Sequence, residues 1–124
     1  MQRYLTDRKR ARGLGAARRG THHHWQMMIT SMLLVILVPA FAITFALGLG
    51  GSYEEVLAYY GRPLPALITL LTLVVVIFHL MQETIVAVED YVHGIAGKLT
   101  IVAVTAASYT LMAAGIFAVA KLAL

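Results

Sequence analysis

PLPALITLLTLVVVIFHLMQ, residues 63–82, contains no Asp, Glu, Lys or Arg. About 20 apolar residues in helical form cross the ~30 Å of bilayer hydrocarbon. A helix is required there, because backbone groups in lipid must pair within their own segment. Two further runs, Met27–Leu49 and Leu99–Ala120, also lack those four residue types. None of the three shows strand-period alternation, so a barrel is disfavoured. The chain reads as an all-α membrane protein with three transmembrane helices, expected at about 25–47, 64–91 and 96–122. These make one anchor unit, 21–124, behind a basic arm, 1–20.

At 124 residues, with 60% hydrophobic and 13% charged residues, the chain is one small domain whose solvent is lipid. It has no cysteine, which excludes disulfides, zinc–thiolate sites and iron–sulfur clusters built from its own side chains. Of its ten basic residues, seven precede position 20: Arg3, Arg8, Lys9, Arg10, Arg12, Arg18 and Arg19. A basic arm suits nucleic acid, but the positive-inside rule accounts for it more simply, so no nucleic-acid partner is expected. That rule places the N-terminus in the cytoplasm, with Lys98 on the same side and Arg62 and Lys121 on the other. Ala40-Phe41-Ala42 resembles a signal-cleavage site. The apolar run exceeds the ~7–15 residues of such a signal and starts late, so retention as a span is expected.

Along the chain, residues 1–20 are glycine-punctuated and expected to lack stable structure alone. Trp25 suits the membrane interface, Pro39 is expected to bend the first helix, and Gly48, Gly50 and Gly51 to end it. Ser52 and Glu55 stand at capping-box spacing for a short interfacial helix through Tyr60. Pro63 and Pro65 open the second span, a tolerated place for proline, and Gly94 closes it. Small residues in the third, Ala103 to Gly115, allow close helix contact.

The second span carries the chemistry. His79, Gln82, Glu83, Val86 and Asp90 follow the spacing of one helix face. A polar stripe at membrane depth must face protein, cofactor or water rather than lipid. His79 has two readings, an interhelical hydrogen bond or an axial ligand to haem iron. No other histidine lies at that depth, so a second imidazole ligand would come from another subunit. Asp90 lies within about 20° of the His79 direction and about 16 Å further along. At the C-terminal end of a helix a carboxylate is disfavoured by ~0.3–1 kcal/mol. Asp90 and Tyr91 either extend into water or serve a quinone, with Tyr91 donating to its carbonyl and Asp90 orienting the phenol or passing protons. His22, His23 and His24 read as solvated interfacial residues or as a relay near a haem propionate. The competing functional class is a cofactor-free transporter subunit whose polar stripe lines a proton or cation path.

The second-span segment HLMQETIVAVEDYVHG (79–94), with GTHHHWQ (20–26) and YEEVLAYYGRP (53–63), resembles the small hydrophobic membrane-anchor subunit of succinate dehydrogenase, in its alphaproteobacterial form. The resemblance implies a subunit of respiratory complex II in the bacterial inner membrane that is not an enzyme by itself. It implies partners: a larger cytochrome b anchor, an iron–sulfur subunit and a flavoprotein subunit. It also implies that His79 is one axial ligand of haem b, that Asp90 and Tyr91 border the ubiquinone site, and that His22 lies near the haem propionates. Two positions depart from the pattern: Met28 stands where many relatives carry arginine, and Glu83 where many carry glycine.

Overall fold

The computed structural model describes residues 6–13, 15 and 20–124. Among these, five helices follow one another: α1 (Asp7–Arg12), α2 (Gly20–Gly48), α3 (Tyr53–Tyr60), α4 (Pro63–Tyr91) and α5 (Gly94–Ala123). Helices α2, α4 and α5, of 29, 29 and 30 residues, are each long and apolar enough to cross a membrane. No strand occurs among the described residues. The all-α, three-span architecture expected from composition is the one found.

The differences lie at element ends. Helix α2 begins at Gly20 rather than near Trp25, which carries the three histidines onto its first turns. A hydrogen bond between the Gln26 amide and His22 Nε2, one turn apart at 3.2 Å, supports this extension. Pro39 sits inside α2, which continues through it. Within the arm expected to be unstructured, α1 forms because the Thr6 side chain caps Lys9 N–H at 3.2 Å. Arg10 and Asp7 add a weak exposed pair at 3.9 Å. Arg3, Arg18 and Arg19 lie outside the described residues.

The connections are short and fixed by local chemistry. Ser52 and Glu55 form the expected capping box at the start of α3, with Ser52 N–H donating to Glu55 Oε2 at 2.8 Å. The Tyr59 phenol donates to the Thr44 carbonyl at 2.7 Å and ties α3 back to α2. Its neighbour Tyr60 meets it edge-on, and burial first, then Tyr59, pushes the Tyr60 phenol above its usual 10.0. Between α4 and α5 only Val92 and His93 intervene. Gly94 enters α5 at φ 72, a backbone region that favours glycine. One turn on, a Cβ at Gly97 would collide with the Val92 carbonyl.

Helix α4 is the middle of the molecule. It packs on α2 along one side and on α5 along another, while α2 and α5 do not meet among the described residues. Gly115 lets α5 approach α4 closely, since a Cβ there would lie 2.6 Å from both methyl carbons of Leu73. The α2–α4 seam repeats every seven residues. At that spacing Thr30, Leu37 and Thr44 on α2 are buried or half-buried, as are Pro65, Thr72 and His79 on α4. Sevenfold spacing keeps one stripe of each helix facing the other when they run nearly antiparallel. The buried threonines Thr44 and Thr72 satisfy their hydroxyls on carbonyls one turn back, each at 2.7 Å.

Candidate functional site

His79 sits in the middle of α4, about 18 Å of helix from Tyr91 by the rise of 1.5 Å per residue. Its side chain is 17% exposed on the isolated chain. Nδ1 lies 2.9 Å from Thr30 Oγ1, across the α2–α4 seam. The same hydroxyl lies 3.1 Å from the Gln26 carbonyl and 3.0 Å from the Met27 carbonyl. A hydroxyl has one proton and carbonyls only accept. Spent on those carbonyls, the proton leaves Oγ1 as an acceptor for an N–H on Nδ1. Turned instead toward Nδ1, it would leave two oxygen–oxygen contacts without a hydrogen between them. The first arrangement satisfies both the hydroxyl and Nδ1. In the neutral imidazole, that tautomer carries its lone pair on Nε2.

Nε2 has no such partner among the described residues. Glu83, one turn along α4, brings Oε1 to 3.9 Å, which is too long for a hydrogen bond. The Glu83 side chain is 59% exposed and is free to leave. Neutral imidazole with Nδ1–H held and Nε2 open is the form in which histidine binds a metal, so the donor chemistry fits a haem iron at Nε2. Among the described residues no group of three or more metal-binding side chains converges. A haem taking a single ligand from this chain requires none.

The other expected residues lie apart from His79. Asp90 and Tyr91 occupy the last turn of α4, both exposed, with Tyr91 at 85%. His22 is exposed and bonded to its own helix through Gln26. The residue that turns toward α4 is His23, seven before Thr30 on the same stripe. Its Nε2 is buried without a hydrogen-bond partner among the described residues. It shares an open cleft of about 370 Å³ with Gln82, Val86 and Glu89. Sequence reading missed Thr30 and the orientation of His23. The signal was present, because polar residues at 23, 30 and 44 in an apolar helix share one heptad stripe.

A family model described as succinate dehydrogenase/fumarate reductase transmembrane subunit matches residues 2–120. The chain belongs to that family. It is 41% identical to the succinate dehydrogenase hydrophobic membrane anchor subunit of Paracoccus denitrificans, over 98% of this chain and 95% of the relative. No solved structure matches. The resemblance carried by residues 20–26, 53–63 and 79–94 therefore extends through nearly the whole chain, including the α2 stripe that holds Thr30 and all three spans.

Proposed function

We propose that this chain is the hydrophobic membrane-anchor subunit of a succinate dehydrogenase. In this reading it docks a flavoprotein and an iron–sulfur subunit to the cytoplasmic face of the inner membrane, beside a larger cytochrome b anchor. The full-length family match supports the anchor role. The crowding of basic residues before position 20 supports a cytoplasmic N-terminus. On that orientation the α4 C-terminus, with Asp90 and Tyr91, also faces the cytoplasm.

His79 Nε2 is the atom that holds haem b, with the second axial ligand coming from the partner anchor. The observation that carries this is the Thr30 contact, which occupies Nδ1 and leaves Nε2 open. When bound, the haem supplies a one-electron redox centre at the level of α4's midpoint. His22, exposed at the cytoplasmic start of α2, is assigned to a haem propionate through the family likeness.

Tyr91 and Asp90 serve ubiquinone, the electron-accepting substrate. Its reduction to ubiquinol takes two electrons and two protons. The Tyr91 O–H donates to a carbonyl oxygen of the quinone and stabilises the negative charge that develops there. The Asp90 carboxylate orients the phenol and passes protons from water, which its exposed position at the helix end allows.

The test is a reduced-minus-oxidised spectrum of the purified chain with its co-purifying subunits, for wild type and His79→Ala. A b-type band with a co-purifying flavoprotein, lowered or displaced in the variant, is expected. An unaltered band in His79→Ala removes His79 as ligand. Absence of both band and flavoprotein favours the transporter reading.

A further inference from the structure

The geometry points to Thr30 as the positioning residue for His79: its hydroxyl oxygen accepts the Nδ1–H, fixing the tautomer and the ring rotation that present the Nε2 lone pair to iron. This inference rests on the reading of His79 as an axial ligand and adds the group that makes it one.

Three features of the site carry it. Thr30 is anchored before it meets the imidazole, because its back-bonds to Gln26 and Met27, together with a β-branched side chain, hold Oγ1 in one place. The acceptor comes from α2 while the ligand stands on α4, so the contact sets the ring relative to the seam and not merely relative to its own helix. The rival orienting group is Glu83. A carboxylate beside Nε2 would favour the opposite tautomer, with the proton on the nitrogen that must bind iron. At 3.9 Å and 59% exposed, Glu83 makes no hydrogen bond that competes with the 2.9 Å contact at Nδ1. Groups that accept the distal N–H of a metal-bound histidine fix its orientation and raise its basicity, and their loss typically lowers metal affinity or activity about 10–100-fold.

A more basic imidazole favours ferric over ferrous iron. Removing the acceptor should therefore raise the haem reduction potential. A tenfold loss of that preference appears as a rise of about 59 mV for one electron. Ser31 is the internal control: it makes the same kind of back-bond, to the Met27 carbonyl at 2.8 Å, and no hydrogen bond to His79.

The experiment is a potentiometric titration and a low-spin ferric EPR spectrum of haem b in the assembled complex. It compares wild type with Thr30→Val, Thr30→Ser, Ser31→Ala and His79→Ala. Thr30→Val should raise the potential and shift the EPR g-values, while Thr30→Ser and Ser31→Ala keep the wild-type signature. If Thr30→Val loses haem while Thr30→Ser retains it unaltered, the hydroxyl is again shown to be required. The inference is overturned if Thr30→Val matches wild type in both measurements, or if Thr30→Ser is as perturbed as Thr30→Val. His79→Ala separates the two levels of argument. An unperturbed haem there overturns the ligand reading and this inference with it. A perturbed haem there beside an unchanged Thr30→Val overturns only the role of Thr30.

Discussion

Replacing Tyr91 by phenylalanine removes one oxygen and leaves the ring. Tyr91 is the last residue of α4 and 85% exposed on the isolated chain, so the fold loses no packing with it. A surface change of that kind moves stability by no more than about 0.5 kcal/mol. Any larger effect must come from what the phenol touches in the complex. A hydrogen bond to an oxygen gaining negative charge contributes about 1.5–3 kcal/mol. At 1.36 kcal/mol per decade, quinone reduction should slow about 10–150-fold.

The assay is paired. Succinate-driven ubiquinone reduction is measured beside succinate oxidation by an artificial acceptor that takes electrons upstream of the membrane. The first should fall by the stated factor and the second should not move. A change of less than twofold in quinone reduction refutes the donor role. Equal losses in both assays also refute it, because they show a damaged complex and not a missing hydrogen bond.

Two further substitutions probe the frame that holds these residues. Gly115→Leu drives atoms into the space where even a Cβ would stand 2.6 Å from Leu73, and should lower the stability of the complex by about 1–3 kcal/mol. Thermal denaturation reads the loss, and adding Leu73→Ala should recover part of it. Absence of that recovery would show that α4 and α5 do not approach through this pair. Tyr59→Phe removes the 2.7 Å bond to the Thr44 carbonyl and should lower stability by about 0.5–1.5 kcal/mol while the haem spectrum is unchanged. A spectral change there would mean that α3 reaches the His79 level by a route the seam does not provide.

The three spans were legible because lipid leaves a chain few choices: length, absence of charge and the need for internal pairing decide them. The capping box at Ser52 was legible for the same reason, since its chemistry is complete within four residues. The site was legible only on the α4 side. His79 announced itself as an ionisable group at depth, but its partner lies 49 residues away on another helix. Which of His22, His23 and His24 faces α4 depends on the rotation of α2, and the low amphipathicity of an apolar span hides that rotation. The threonines disclose it. At 30 and 44 they mark the stripe, and the stripe selects His23. The short helix α1 was missed because glycine and charge density were weighed above a local cap at Thr6.

The seam also bears on how His79 and Asp90 relate. Packing Pro65, Thr72 and His79 against α2 fixes the rotation of α4, and with it the direction of every later side chain. From His79, helical geometry turns Glu83 by about 40° and Asp90 by about 20°, at roughly 6 and 16 Å further along the axis. These residues therefore emerge on the flank that carries Nε2, and both are exposed on the isolated chain. The chain covers little of that flank itself, because α2 and α5 contact α4 without closing around it. Lipid is a poor neighbour for the His79 imidazole and the Glu83 carboxylate at this depth. A neighbour that shields Nε2 from lipid would run beside Glu83 toward Asp90. One surface thus joins the level of His79 to the level of Asp90, and the Thr30–His79 contact helps set the rotation at which that surface is presented.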